Sequence, residues 1–157
     1  MEQWTSYTSQ TEKFSTSFPR SVTRQFLGYF GDDGESPATV VFSSKTEDGA
    51  LYEVRVTRVM QYFGLPGDFL ETVVYEMAKT IRGARIVERK AGEFGGRHAI
   101  YFGLSIRGWF FGLGASRTMR GVVALDGNSV YIVSVVSPSG SAHDERDFLA
   151  RFAFASS

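Results

Sequence analysis

The chain has no cysteine, and only two histidines, four lysines and four prolines among 157 residues. Without cysteine there is no disulfide framework, no thiolate nucleophile and no sulfur-ligated metal site. Basic and acidic residues number seventeen each, so the formal net charge is zero. The basic excess that draws a protein to nucleic acid or to an anionic membrane is therefore missing. Lysine is so scarce that thirteen of the seventeen basic residues are arginine. Arginine favours planar, bidentate contacts and aromatic stacking over diffuse attraction. No apolar run is long enough to cross a bilayer, and the polar first residues carry no signal-like segment. A cytoplasmic protein starting at its own methionine is expected ahead of an exported one whose leader has been removed.

What the chain has in quantity is phenylalanine, fourteen of them, at a length suited to one domain over residues 1–157. Trp4 to Ser9 and Lys13 to Phe18 alternate apolar and polar residues, the pattern of two half-buried strands joined by a polar turn. Pro19 lacks an amide hydrogen and suits a strand exit. Residues Gly31 to Pro37 are acidic and turn-rich, a surface loop by composition. A strand over Thr39 to Ser44, a turn at Glu47-Asp48-Gly49 and a strand over Leu51 to Met60 follow. In the last of these, Tyr52, Val54 and Val56 form the buried face.

A helix is predicted from about Phe69 to Arg82, with Asp68 as its cap, Glu71 in the capping-box position and Gly83 as its left-handed exit. Leu70, Val73, Val74, Met77 and Ile81 make its apolar stripe. Four strands are predicted next, over Arg85 to Arg89, Arg97 to Ile106, Trp109 to Leu125 and Ser129 to Val136. Gly95-Gly96 and Asp126-Gly127-Asn128 supply the turns between them. Ser141 is expected to cap a final helix over Ala142 to Arg151 that buries Phe148, Leu149 and Phe152. Strands, helix, strand-rich block and helix in that order predict an α+β protein, an antiparallel sheet flanked by helices as an α/β/α sandwich.

The residues that carry chemistry do not assemble into a catalytic pattern. His98 lies in a strand, on the face of Ile100, Phe102 and Leu104, where it reads as a structural histidine. His143-Asp144-Glu145 has metal-ligating residue types, but neighbours in a first helical turn diverge, so a solvated helix start is expected and no metal. The glycine-rich stretches at 92–97 and 112–114 do not run into a helix that could hold phosphate. Ser105, Ser116 and Ser134 lack a nucleophile-elbow context. The expectation is a protein that is not an enzyme and needs no cofactor.

The sequence of Arg107-Gly108-Trp109-Phe110-Phe111 is of another kind, because a strand cannot hide three consecutive rings on one side. Either both faces of the sheet are covered, or at least one ring is exposed as a protein-binding anchor. Arg107, Trp109, Phe110, Arg117 and Arg120 are accordingly the expected partner-binding residues. Tyr62 to Pro66 is a second apolar loop, read as docking over the core.

The Trp4–Tyr7 strand, the Phe14-Ser15-Thr16-Ser17-Phe18-Pro19 strand and the mid-chain helix together resemble the PsbP-like superfamily. So do the Arg97-His98-Ala99-Ile100-Tyr101 strand and the closing Phe148-Leu149-Ala150-Arg151-Phe152 segment. That superfamily includes the extrinsic photosystem II subunit, the Mog-type Ran-binding factor and chaperones of type VI secretion effectors. The resemblance implies an antiparallel sheet flanked by helices and non-enzymatic binding to another protein. It transfers no functional residue. The expected function is a protein-binding, adaptor or chaperone-like domain, with a bacterial source suggested by the arginine bias. Its partner is another protein, a second copy of the chain included. The alternative is a carrier holding an apolar small molecule between helix and sheet. A hydrolase built on His98 ranks last.

Overall fold

The computed structural model describes residues 3–27, 39–59, 64–107, 116–138, 143 and 145–155. Among these residues, ten strands and two helices follow in the order β1 (Thr5–Ser9), β2 (Phe14–Phe18), β3 (Thr23–Leu27), β4 (Thr39–Lys45), β5 (Leu51–Arg58), α1 (Pro66–Thr80), β6 (Ala84–Phe94), β7 (Arg97–Ile106), β8 (Arg117–Asp126), β9 (Ser129–Pro138), α2 (Glu145–Arg151) and β10 (Ala153–Phe154). Every strand pairing is antiparallel. The large sheet has the order β3-β4-β5-β9-β8-β7-β6, and the small one β1-β2-β10.

Register is set by the turns. Gly95 and Gly96 both have positive φ, +57° and +79°, the two-residue turn whose twist suits a hairpin, so Phe94 faces Arg97 directly. The alternating apolar positions then fall on two faces. One face presents Phe42, Tyr52, Val54, Val122, Val133 and Val135 to Phe14 and Phe18 of β2 and to Phe148 and Phe152 at α2. The opposite face presents Ile100, Phe102, Leu104, Met119 and Val123 to Leu70 and Val74 of α1. Central strands covered on both sides need apolar residues at nearly every position, which is what Val130 to Val136 supplies.

The architecture is thus sheet-rich α+β, and the expected helix-flanked sandwich is corrected. One face carries α1, but the other is covered mainly by the small sheet, with the seven-residue α2 beside it. The final helix ends at Arg151, and the chain then turns back as β10, where Phe154 pairs with Phe14. Pairing with β2 gives this segment hydrogen-bond partners that a frayed terminal turn would lack. α1 begins at Pro66, in the first turn, where a missing N–H costs nothing. Leu65 occupies the cap position without a side-chain bond, so Asp68 sits inside the first turn and does not cap it. Gly83 has the expected positive φ, +82°. β6 runs to Phe94, beyond the predicted Arg89, and β8 begins at Arg117. β3 had no sequence prediction. His143 precedes the described helix and is not in it. The segments 31–37, 60–63, 108–115 and 139–142, with their expected loops, aromatics and cap, lie outside the described residues.

Candidate functional site

The expected partner-binding residues divide between two regions. Arg107 is exposed just beyond β7, where its N–H donates to the Gly83 carbonyl at 3.1 Å. Arg117 is exposed at the start of β8 and pairs in register with Ile106, so these two arginines share one end of the large sheet. Trp109 and Phe110 lie outside the described residues. Arg120 is three positions along β8 from Arg117, hence on the other face. It reaches across β7 to Glu88 of β6, with Nη1 2.6 Å from the carboxylate. Gly103 lies between them in register, and its missing side chain makes this possible. A Cβ there would stand 3.3 Å from Nη1 of Arg120 and 3.4 Å from Cβ of Glu88.

Arg120 and Glu88 lie at a cavity of about 480 Å³ between the sheet and α2, which Tyr101, Phe102 and Leu149 also line. Tyr101 leans over Gly92, where a Cβ would sit 3.5 Å from its ring, and its hydroxyl donates to the Glu93 carbonyl at 2.8 Å. Glycine in two neighbouring strands thus opens space beside the sheet that a side chain would close.

A second surface sits at the free edge of the large sheet. Among the described residues β6 has only one neighbour, and its register shifts between Ile86 and Glu88. This bulge turns Val87 outward, 47% exposed. On adjacent α1, Tyr75 is 48% exposed, with the Arg89 guanidinium 5.2 Å above its ring and Glu71 3.6 Å from Arg89 Nε. Between Tyr75, Ala78, Ile86 and Val87 runs an open depression of about 610 Å³. No signal within either element shows that these apolar side chains meet. Tyr75 falls outside the α1 stripe, and Val87 is exposed only because of the bulge.

The two histidines have different surroundings. His98 is exposed near the β6–β7 turn, and its side chain has no hydrogen-bond partner among the described residues. His143 is nearly buried and lies between two groups far away in sequence. Its Nε2 is 2.6 Å from Oδ2 of Asp48, and its Nδ1 is 2.8 Å from the Tyr52 hydroxyl. A carboxylate can only accept, so Nε2 carries a proton, and in the neutral ring Nδ1 accepts from the phenol. Tyr52 is itself packed edge-on against Trp4 and Phe148. The chain of contacts therefore leads from the carboxylate through the imidazole to a phenol enclosed in the core. It ties the β4–β5 turn to the chain just before α2. No three His, Asp or Glu side chains among the described residues are placed to hold a metal.

Asp48 also accepts a hydrogen bond from the Thr46 hydroxyl. This bond and the one from His143 hold its carboxyl far below the ordinary value of 3.8. A depressed carboxyl stabilises the folded state above its unfolded value, and that stability is lost as the carboxylate is protonated. The urea midpoint of the wild type is expected to decline as pH falls below 3.8, and Asp48→Asn is expected to flatten part of that decline. Parallel acid profiles for the two proteins would remove Asp48 as a source.

No family model matches the chain, and no curated protein matches it. Solved structures do. The solution structure of cyanobacterial PsbP (CyanoP) from Synechocystis sp. PCC 6803 superposes with a TM-score of 0.65 at 13% identity, covering 98% of this chain and 94% of that one. The chain therefore has the PsbP-like fold. A protein of unknown function from Pseudomonas aeruginosa, PA94, aligns with a TM-score of 0.46 and 13% identity over 87% of this chain and 83% of that one.

Proposed function

We propose that this PsbP-like chain acts as one non-enzymatic protein-binding domain, an adaptor or chaperone-like module of bacterial type. Its docking surface is the free β6 edge together with the adjoining face of α1. The observation that carries this reading is the pairing of exposed Tyr75 and Val87 beside an unpaired strand edge. An edge strand offers a row of backbone donors and acceptors to an extended partner segment, and side-chain depressions beside it supply selectivity. The bulge at Val87 and the charges of Arg85, Glu88, Arg89, Lys90 and Glu93 discourage indiscriminate pairing. Arg107 and Arg117 lie at one end of this edge region and lead into Trp109 and Phe110, the anchors expected from the sequence. In the same reading Arg120 serves the partner through its contact with Glu88 on the opposite face.

Affinity capture with the wild type, a Tyr75→Ala/Val87→Lys variant and a Trp109→Ala/Phe110→Ala variant tests the reading. The edge variant is expected to keep its melting temperature and lose the partner. A folded edge variant that retains every partner would exclude this surface.

A second reading, carriage of an apolar small molecule, is favoured by the cavity under α2, where Tyr101 and Leu149 provide apolar lining. Native mass spectrometry of freshly purified protein distinguishes the two. A ligand mass that Leu149→Arg removes supports carriage, and a clean unliganded mass counts against it.

A further inference from the structure

At the end of the large sheet opposite Arg107, a polar cleft of about 510 Å³ opens where the β1–β2 turn, the end of β5, the start of β7 and the β8–β9 turn converge. It does not overlap the proposed docking edge. We infer that this cleft binds a small zwitterion of the amino-acid or short-peptide class, its ammonium taken by Glu12 and its carboxylate by Arg58 and Arg97.

The argument starts from Glu12. Its side chain is only 6% exposed, yet the one partner of its carboxylate among the described residues is Arg58 Nη2, at 4.0 Å. A buried carboxylate is normally held by close hydrogen bonds, because its desolvation must be offset. Here the contact is at the limit of an ion pair, and no hydrogen bond from the described residues reaches the carboxylate. The backbone of Glu12, by contrast, is fully engaged. Its N–H donates to Ser9 Oγ at 3.1 Å, and its carbonyl accepts from the Tyr131 hydroxyl at 2.6 Å. Burial, with Asp126 and Glu12 nearby, pushes the Tyr131 hydroxyl up to about 12, so this donor stays protonated at neutral pH. The carboxylate is fixed in place and left short of donors.

The cations around it have the complementary surplus. Arg58 is 62% exposed, and among the described residues Glu12 is the one ion-pair partner of its guanidinium. Arg97 is oriented on three sides. Its Nε lies 3.4 Å from Asp126, its Nη1 donates to the Gly95 carbonyl at 2.6 Å, and its plane lies over the Phe154 ring at 4.4 Å. Nη2 is left without a partner among the described residues. A guanidinium clamped in this way presents its remaining N–H groups at a fixed angle, which suits a carboxylate.

Lys13 adds a third cation and an independent sign of construction. It is the one non-glycine residue among those described with positive φ, +58°. The conformation is secured by the Ala155 N–H, which donates to the Lys13 carbonyl at 2.9 Å. Left-handed backbone at a lysine is unfavourable, and such positions persist where surrounding contacts impose them. Here the contacts come from the strands on both sides of the turn and from the chain beyond β10. With three cations and two carboxylates around one space, a simple anion would leave Glu12 unanswered, and a simple cation would meet repulsion from the arginines. A ligand carrying both charges answers both.

The test is isothermal titration of the full chain with glycine, diglycine and triglycine, alongside N-acetyl-diglycine and diglycinamide. Saturable binding of at least one free zwitterion is expected, and the series identifies the preferred length. Each blocked diglycine is expected to bind about tenfold more weakly, the effect of losing one charge-assisted contact. Glu12→Gln should abolish the discrimination against the acetylated peptide, and Arg58→Met the discrimination against the amide. Arg58 is exposed enough for its replacement to leave folding intact. The comparison of free with blocked peptides requires no variant at all. Equal affinity for free and blocked peptides, or no saturable heat with any of the three free ligands, overturns the inference.

Discussion

Gly121→Ala is expected to destabilise the protein by about 3 kcal/mol or more, the upper part of the range for forcing extra atoms into a packed interior. Gly121 sits in β8 between Phe102 of β7 and Ser134 of β9. A Cβ added to it would stand 2.1 Å from the Val133 carbonyl oxygen and 2.8 Å from Cα of Ser134. Both obstacles are backbone atoms in a central strand, so relief requires β8 and β9 to separate where both faces of the sheet are covered. Against a total stability of roughly 5–15 kcal/mol, that loss is a large fraction. Gly103→Ala is the informative contrast. Its new methyl group meets the end of the Arg120 side chain at 3.3 Å, and a guanidinium can swing away. Urea denaturation of the two variants should show a large drop in midpoint for Gly121→Ala and a small one for Gly103→Ala. Equal midpoints would mean that the approach of β8 to β9 is looser than described.

The same contrast shows how far the sequence could be read. Alternation in Phe14 to Phe18 and Tyr52 to Val56 locates β2 and β5 because their buried side chains repeat every second residue, whereas β7 buries residues in succession, such as Ala99 and Ile100, and shows no such repeat. β3 was invisible because it is an edge strand, and four of its five residues are exposed, leaving no apolar repeat. β10 also has no prediction from the sequence, because two residues are too short a run to show a strand's alternation. Pro66 falls in the expected apolar loop, yet it opens α1, since proline is favoured in a first helical turn. The resemblance of the opening strands, the mid-chain helix, the Arg97–Tyr101 strand and the closing Phe148–Phe152 segment to the PsbP-like superfamily led correctly to the fold, while the second layer could not be foreseen. Whether a helix or a small sheet covers a face depends on contacts between chain ends, and neither end encodes the other.

Sites were less legible than strands for the same reason. Arg120 and Glu88 are brought together by the β6–β7–β8 register, and His143 and Asp48 by the closure of the chain over the β4–β5 turn. In the sequence Glu12 is a lone acidic residue in a polar turn. Its burial follows from Tyr131, which is more than a hundred residues away and donates to its carbonyl. Sequence spacing can identify residue types on a face. It cannot report which distant turn will close over them.

The attachment of the small sheet can be tested through a single ring. Phe14 is fully buried, 5.0 Å from Phe42 of the large sheet in an edge-on contact and 5.5 Å from Phe152 in a stacked one. Tyr7 of β1 completes its surroundings at 6.3 Å. The ring thus joins β1, β4 and the segment after α2 at one point, and Phe14 also pairs in register with Phe154 of β10. Phe14→Ala is expected to cost about 3–5 kcal/mol, the range for losing a buried aromatic side chain and leaving a cavity. The loss should first appear as faster amide hydrogen exchange in α2 and β10, because their packing on β2 depends on the vacated space. Phe26→Ala removes the same atoms from a ring that is 55% exposed on β3, and should change stability by no more than about 0.5 kcal/mol. If Phe26→Ala were as damaging as Phe14→Ala, or if exchange in α2 and β10 were unchanged, the two sheets would not be held together through Phe14.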